Sequence, residues 1–167
     1  MASPTPGLQA HSTVRVLVVE DRPFLVDRVA ALSGEYSDIE VVGGATAGSA
    51  AMARAAGLGP HVVLVAERLS DADGLHVCDR IHRQFPDMAL IFVSESQTDA
   101  VKLLAVEAGA CGIISRMSPD QDLVFALLRA AEGEFLLPRQ VTIRLFRRER
   151  ELRLQWCRRR GDSDPRS

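Results

Sequence analysis

Charged and hydroxyl side chains occur in four short clusters, and each cluster directly follows an apolar segment of the sequence. The clusters are Glu20-Asp21, Glu67-Arg68, Ser94-Glu95 and Ser115-Arg116. Two adjacent carboxylates such as those of Glu20 and Asp21 repel each other unless a cation compensates their charge.

The sequence lacks the motifs of the common catalytic and nucleotide-binding sites. No GxGxxG or GxxxxGK fingerprint follows the first apolar segment, and no Ser–His–Asp or Cys–His order fits a nucleophile turn. Cys78, Cys111 and Cys157 form no CxxC pair, so the first two are expected to pack as small apolar side chains. The histidines, expected at the surface, are His11, His61, His76 and His82. We expect no enzyme activity, no cofactor and no metal, with a metal-dependent enzyme built on Glu20, Asp21 and Glu67 as a weaker alternative.

An alternation of apolar segments and helical patterns positions these clusters. The predicted strands are residues 14–19, 39–42, 62–65, 88–93 and 111–114. The predicted helices are residues 23–34, 46–57, 75–84, 98–108 and 118–132, with Thr46 as the N-cap of the second. Strands that are apolar throughout favour a parallel sheet covered on both faces. The sequence therefore predicts an α/β fold, a doubly wound five-stranded sheet sandwiched by five helices, in which the polar clusters meet at the carboxyl edge.

Length and composition limit the cellular setting. A chain of 167 residues can form one compact domain and a short appendage. No apolar run approaches the roughly 20 residues of a membrane span, and residues 1–13 do not form a secretory signal. We expect a cytoplasmic protein with no membrane partner, a disordered tail at residues 1–13, a domain at 14–135 and an extension at 136–167.

Four sequence segments, in this order, carry a family resemblance: VRVLVVEDRPFLVDRVAALS, PHVVLVAERLSDADG, ALIFVSES and GACGIISR. Together they resemble the receiver domain of bacterial two-component response regulators over about residues 14–135. The spacing and the RxxxxDG loop are most similar to the NarL/LuxR branch of transcription factors. The resemblance implies a flavodoxin/CheY-like fold.

The resemblance also implies a phosphorylation site, and this chain departs from it. In the family, an acidic pair holds Mg²⁺, an aspartate after the third strand accepts phosphate, and a hydroxyl and a lysine contact the phosphoryl group. Glu20, Asp21 and Ser94 match the pair and the hydroxyl, but the acceptor position is Ala66, the lysine position is Arg116 and the aromatic switch position is Ile113. A methyl group is neither a nucleophile nor a metal ligand, so Glu20 and Asp21 are left as only a weak Mg²⁺ candidate. We therefore expect a vestigial pocket that is not phosphorylated in the standard way.

Two charged side chains could fill the altered pocket. Glu67 lies one residue beyond Ala66, where a strand directs side chains to the opposite face. It could still curl into the pocket and imitate a charged state, or it could be a solvated carboxylate near Arg68. Arg116 could form a bidentate ion pair with Asp21 that fixes the pocket in one state, or it could extend into solvent.

The last predicted helix is apolar on nearly every side. Its stripe that can cover the sheet comprises Leu123, Leu127 and Ala130. Val124, Phe125 and Leu128 would then face outward and require a second partner. A homodimer through this helix, as is common in the resembling family, is the simplest account. In the alternative, the C-terminal extension folds back over this surface.

The C-terminal extension is strongly basic and compatible with a helix. Residues 141–160 contain eight arginines and two glutamates. The extension could support dimer pairing, contact nucleic acid phosphates, lead to a helix-turn-helix domain, or be a solvated face with a disordered end. Its segment LFRRERELRL resembles the LTxREREVLRL opening of LuxR-type helix-turn-helix domains, although it departs at Phe146 and Arg147. The residues that follow are too few for a recognition helix.

These observations lead to two hypotheses about function. In the first, the chain is an atypical receiver domain of a transcriptional regulator that signals without aspartyl phosphorylation. Dimerisation, a protein partner or a small-molecule effector would control it, and DNA binding would need a helix-turn-helix domain missing from this chain. In the second, the chain is a stand-alone pseudo-receiver adaptor that acts by protein–protein interaction without DNA binding.

Overall fold

The computed structural model describes residues 12–160 of the chain. The chain divides into two compact units, of which the first ends at Leu136 and the second begins at Leu137. The tail predicted at residues 1–13 lies outside the described residues up to His11, as does the end of the extension from residue 161.

Five strands and five helices alternate along the first unit. In chain order they are β1 (Val14–Val19), α1 (Phe24–Glu35), β2 (Ile39–Ala45), α2 (Gly48–Leu58), β3 (Val62–Ala66), α3 (Gly74–Gln84), β4 (Ala89–Val93), α4 (Asp99–Glu107), β5 (Gly112–Ile114) and α5 (Asp120–Ala131). All strand pairs are parallel, and the strand order is β2-β1-β3-β4-β5. The predicted doubly wound sheet is confirmed, and the reversal of strand order between β1 and β3 marks where a site should form.

The core explains why the strands are apolar throughout. Every residue of β3 is fully buried, and so are most residues of β1 and β4. Helices cover both faces of such a sheet, so alternate side chains on each strand have apolar neighbours. The largest fully buried side chain of this core is Phe92, and leucines such as Leu17 and Leu25 are fully buried with it.

Strand β2 is longer than predicted, because two glycines do not end it. After a register shift, Gly43 pairs with Leu17 and the strand continues to Ala45. A Cβ atom at Gly43 would lie only 2.7 Å from Leu58 Cδ1 of α2. The missing side chain therefore lets α2 pack closely on the sheet and does not break the strand.

The predicted capping of α2 by Thr46 is wrong. The N-cap residue is Ala47, which has no capping side chain. The free N–H groups of Gly48 and Ser49 instead donate to the carboxylate of Asp71, at 2.7 and 3.0 Å. Asp71 belongs to the loop between β3 and α3, so the cap is a long-range contact that no local pattern indicates.

Helix α5 buries more of its surface than predicted. Leu123, Leu127 and Ala130 are buried as expected, but Val124 is also buried, and its predicted outward position is wrong. The buried face is wider because α5 packs on β1, β3, β4 and β5 together. Phe125 keeps 56% of its surface exposed. The third residue of the predicted outward set, Leu128, is partly buried and packs against the core.

The second unit contains one long helix, α6 (Arg139–Arg160). An ion pair between Glu149 and Arg153, one turn apart, supports it at 2.5 Å. Phe146 and Leu152 are exposed on this helix. Within residues 12–160, no helix combines the length and the apolar character that crossing a membrane would require.

Candidate functional site

The polar clusters of the sequence come together around one cavity at the carboxyl edge of the sheet. Its volume is about 280 Å³. The residues that line it are Asp21, Arg22, Glu67, Arg68, Val93, Glu95 and Arg116. Val93 ends β4, and the other lining residues follow β1, β3, β4 and β5, the strands on either side of the reversal of strand order.

Glu20 is a buried carboxylate with two different partners. Its Oε2 atom accepts a hydrogen bond from the N–H of Leu25 in the first turn of α1, at 2.6 Å. The positive end of the helix dipole favours a negative charge at this position. Its Oε1 atom lies 2.6 Å from Nη1 of Arg116. A buried carboxylate needs such a cation, because an unpaired charge in the interior is strongly destabilising.

The predicted partner of Arg116 is therefore wrong: the guanidinium pairs with Glu20 and not with Asp21. The side chain of Glu20 is 1% exposed, whereas Asp21 is an exposed residue whose charge water can solvate. Arg116 is itself only 20% exposed, and its guanidinium lies over the ring of Phe24, 5.7 Å from the ring centroid. Within residues 12–160, Glu20 Oε1 accepts no aligned hydrogen bond, so its contact with Arg116 is one of charge.

Glu67 curls toward the hydroxyl position of the pocket. Its Oε2 atom accepts a hydrogen bond from Oγ of the buried Ser94, at 2.7 Å. The same Oγ atom accepts the N–H of Ser96 at 3.0 Å, so the serine side chain is held in one orientation. At the end of β3, Ala66 is fully buried and presents only a methyl group. A carboxylate thus contacts Ser94, but it comes from the residue after the acceptor position.

The backbone after β3 explains how Glu67 reaches this position. Its N–H donates to the carbonyl of Val93 and its carbonyl accepts the N–H of Gly74, both at 2.9 Å. A Cβ atom at Gly74 would lie 2.0 Å from the carbonyl oxygen of Ala66, so only glycine allows this approach. The loop is closed by a bridge between Arg68 and Asp73, which are the ends of the RxxxxD pattern.

The switch position and the cysteines lie in apolar surroundings. Ile113 is 9% exposed and pairs with Phe92 in the sheet. Cys78 is buried, and burial raises the pKa of its thiol to about 12. Burial also raises the pKa of Cys111. Both cysteines are free, and they behave as apolar side chains, as the sequence predicts.

Arg28 is a residue of the site region that the sequence analysis missed. From α1, its guanidinium donates to Asp120 Oδ1 at 2.7 Å, to the carbonyl of Arg116 at 3.0 Å and to the carbonyl of Ser118. The side chain is only 18% exposed. Arg28 lies three residues after the buried Leu25, and this spacing weakly indicates a position on the inward face of α1. Its partners lie about 90 residues away in sequence, so no local sequence pattern indicates them.

The residues present do not fit the Mg²⁺ that the resemblance implies. The carboxylate of Glu20 is paired with the guanidinium of Arg116, and the side chain of Ala66 has no oxygen atom. Over residues 12–160, no group of three or more His, Cys, Asp or Glu side chains could hold a metal ion. Asp21 alone cannot supply the oxygen ligands that Mg²⁺ requires.

Comparisons with known proteins agree with the fold. A family model described as the response regulator receiver domain matches residues 16–128. The response regulator protein VraR from Staphylococcus aureus is 26% identical over 136 residues, which are 81% of this chain and 65% of VraR. The chain thus spans slightly less than two thirds of the length of that relative.

Two solved structures illustrate the similarity in fold. The signal receiver domain of the response regulator NarL from Mycobacterium tuberculosis is 30% identical, with a TM-score of 0.67 over 74% of this chain and 99% of that chain. A LuxR-family two-component response regulator from Aurantimonas sp. SI85-9A1 has a TM-score of 0.71 at 22% identity, over 83% of this chain and 99% of that chain. At that identity the second similarity shows the fold alone.

Proposed function

This chain belongs to the response regulator receiver domain family, and we propose that it is an atypical receiver domain that signals without phosphorylation of an aspartate. The observation that carries this proposal is the methyl group of Ala66 at the acceptor position. An acyl phosphate needs a carboxylate oxygen as nucleophile, and the fully buried Ala66 has none.

The contacts around Ala66 support a pocket that is internally satisfied. Ser94 donates to the carboxylate of Glu67, and Arg116 is paired with Glu20. In phosphorylated relatives, as the resemblance implies, the hydroxyl and the cationic side chain contact the phosphoryl group. Here both positions already have negatively charged partners within the chain. We infer that Glu67 provides the negative charge that phosphorylation provides elsewhere, so the domain stays in one signalling state.

A homodimer through α5 is part of the same proposal. Phe125 is 56% exposed, and the guanidinium of Arg129 lies 5.4 Å from the centroid of its ring. An exposed aromatic side chain beside an arginine is typical of residues that dominate protein–protein interfaces. Control would then act on the amount of protein, on the dimer equilibrium, or through a partner or small molecule at the pocket.

Regulation of transcription is proposed for the whole protein, by analogy with its LuxR- and NarL-type relatives. The described residues form a receiver fold and one basic helix, and we propose that sequence-specific DNA binding belongs to a helix-turn-helix domain outside them. The alternative is an adaptor that acts through protein–protein contacts alone. A mobility-shift assay with promoter fragments and the full-length protein separates the two, because the adaptor is expected to bind no DNA.

The central claim is tested by incubation with acetyl phosphate and Mg²⁺, followed by measurement of the intact mass. We expect the mass to stay unchanged, while a receiver domain with an aspartate at this position, treated in parallel, gains a phosphoryl group. A stable phosphoryl adduct that maps to the segment after β3 contradicts the proposal. An adduct on a histidine or a surface serine would be distinguished by peptide mapping.

A further inference from the structure

We propose that Arg28 is the positioning residue that holds Arg116 on Glu20, so that the pocket carries its own cation at this carboxylate. This inference concerns the same pocket as the proposed function and deepens it, since it assigns the residue that keeps the pocket in one state. The signalling role of this state rests on the proposed function, whereas the contacts of Arg28 and Arg116 do not.

The guanidinium of Arg28 makes a complete set of contacts. All three nitrogen atoms of its guanidinium are used: Nε bonds Asp120, Nη1 bonds the carbonyl of Arg116 and Nη2 bonds the carbonyl of Ser118. Two of these acceptors are backbone carbonyls of the loop between β5 and α5, and the third, Asp120, is the first residue of α5. The planar, five-donor guanidinium is the side chain that can hold three acceptors at once.

Helix α1 holds Arg116 at two places, its backbone carbonyl and its guanidinium. Arg28 fixes its carbonyl, and the ring of Phe24 lies under its guanidinium. Helix α1 also acts indirectly. The N–H of Leu25 fixes the carboxylate of Glu20, which is the partner of Arg116. Helix α1 therefore sets the position of the loop, of the cation and of its anion together.

Burial of the Arg28 side chain makes its contacts stronger than those of an exposed arginine. An exposed ion pair contributes little, and Asp120 is 60% exposed, so the Arg28–Asp120 contact alone would be weak. The side chain of Arg28 is mostly removed from water, however, and its two bonds to backbone carbonyls replace the lost hydration. Loss of these bonds would leave two carbonyls of the loop without their partner and free the loop to move.

The test compares the full chain with Arg28→Ala and Arg28→Lys. Backbone hydrogen exchange of residues 115–118 reports the loop, and the Nε–H resonance of Arg116 reports its ion pair, assigned with Arg116→Lys. A titration with Mg²⁺ alone, followed through the amide resonances of residues 20 and 21, reports competition for Glu20. We expect Arg28→Ala to speed the exchange and to shift the Nε–H resonance of Arg116. Mg²⁺ should shift the amide resonances of residues 20 and 21 in this variant and not in the wild type, because a released Glu20 carboxylate adds an oxygen ligand beside Asp21.

The matched control is Arg83→Ala, which removes an exposed arginine paired with Asp79 one turn away on α3. We expect that variant to change none of the three readouts. Arg28→Lys has one point charge in place of the planar fork, so an intermediate effect is expected, and it serves as the test if Arg28→Ala does not fold.

Unchanged exchange, an unchanged Arg116 resonance and unchanged Mg²⁺ binding in a folded Arg28 variant would overturn this inference. The result is independent of the acetyl phosphate experiment. Phosphorylation of the chain would contradict the proposed function and leave the role of Arg28 open to its own measurement.

Discussion

At the scale of single residues, the hydrogen bond from Ser94 to Glu67 holds a carboxylate at the hydroxyl position of the pocket. Ser94 is 1% exposed, so its hydroxyl loses water on folding and depends on the carboxylate as its acceptor. Hydrogen bonds to charged groups contribute more than neutral ones, on the order of 1.5–3 kcal/mol. The contact therefore has a measurable effect on stability as well as a proposed role in signalling.

We predict that Glu67→Ala and Ser94→Ala each lower the free energy of unfolding by about 1–2 kcal/mol, because each leaves a polar partner unpaired. The double variant should show a coupling of about 1 kcal/mol in a double-mutant cycle measured by urea unfolding. The control is Glu95→Ala, which removes a neighbouring exposed carboxylate and should change stability by less than about 0.5 kcal/mol. Strict additivity of the two single variants would show that the bond contributes nothing.

Sequence reasoning placed the residues of the pocket correctly but not their pairing. The acidic pair, the methyl group and Arg116 were all expected at the carboxyl edge, because the ends of parallel strands meet there. The sequence could not predict which carboxylate pairs with Arg116, because the pairing depends on the burial of Glu20 by α1. Only the spacing of Arg28 from Leu25 indicated an inward position, and its contacts could not be predicted, because two of its three acceptors are backbone carbonyls, which every residue has.

At the scale of elements, the cap of α2 links two loops of the site edge. The bond from the N–H of Ser49, followed by that from Gly48, lowers the pKa of Asp71 below its usual value of 3.8. A carboxyl group with a lowered pKa in the folded state stabilises the protein above its unfolded pKa, and this contribution is lost as the pH falls through the folded pKa.

We therefore predict that Asp71→Asn lowers the melting temperature at pH 7 and that the difference from the wild type shrinks below about pH 4, the range in which the free carboxyl titrates. Thermal unfolding followed by circular dichroism at several pH values measures this difference. Asp87→Asn, on an exposed turn without such bonds in the described structure, should leave the melting temperature unchanged. A difference for Asp71→Asn that is constant from pH 7 to pH 2 would contradict the cap.

The close approach of α3 to β3 gives a second prediction at this scale. Gly74→Ala would place a Cβ atom 2.0 Å from the carbonyl oxygen of Ala66, so the backbone must shift. We expect a loss of about 1–3 kcal/mol in the free energy of unfolding, measured with urea. Gly57→Ala in α2, where no atom lies within 4 Å of the new Cβ, should instead stabilise the helix by about 0.5–1 kcal/mol. Equal effects of the two variants would contradict the role of Gly74.

Hydrophobic periodicity predicted most of the strands and helices correctly. The limits of β1 matched, and those of the other strands differed by one residue at an end, apart from β2. β2 and the cap of α2 were missed for one reason: both depend on neighbours distant in sequence, Leu17 and Leu58 for the glycines and Asp71 for the helix end. The burial of Val124 was missed because the width of a helix face depends on how many strands it covers.

At the scale of the whole molecule, the proposed dimer leads to a prediction about α5. Phe125→Ser should weaken self-association at least about tenfold, because truncation of an interface aromatic commonly removes more than 1.4 kcal/mol. Sedimentation equilibrium of the full chain measures the effect. Leu104→Ser, which removes an exposed apolar side chain from α4, is the matched control and should leave association unchanged. A wild-type chain that stays monomeric at high concentration would contradict the dimer.

The pairing of Arg116 with Glu20 has a consequence for evolution. An aspartate introduced at position 66 would face a hydroxyl and a cation that already have partners within the chain. A gain of phosphorylation would therefore require further substitutions that release Ser94 and Arg116. Substitutions at positions 28, 66, 67 and 116 are expected to be epistatic, because the effect of each depends on the residues at the other three positions.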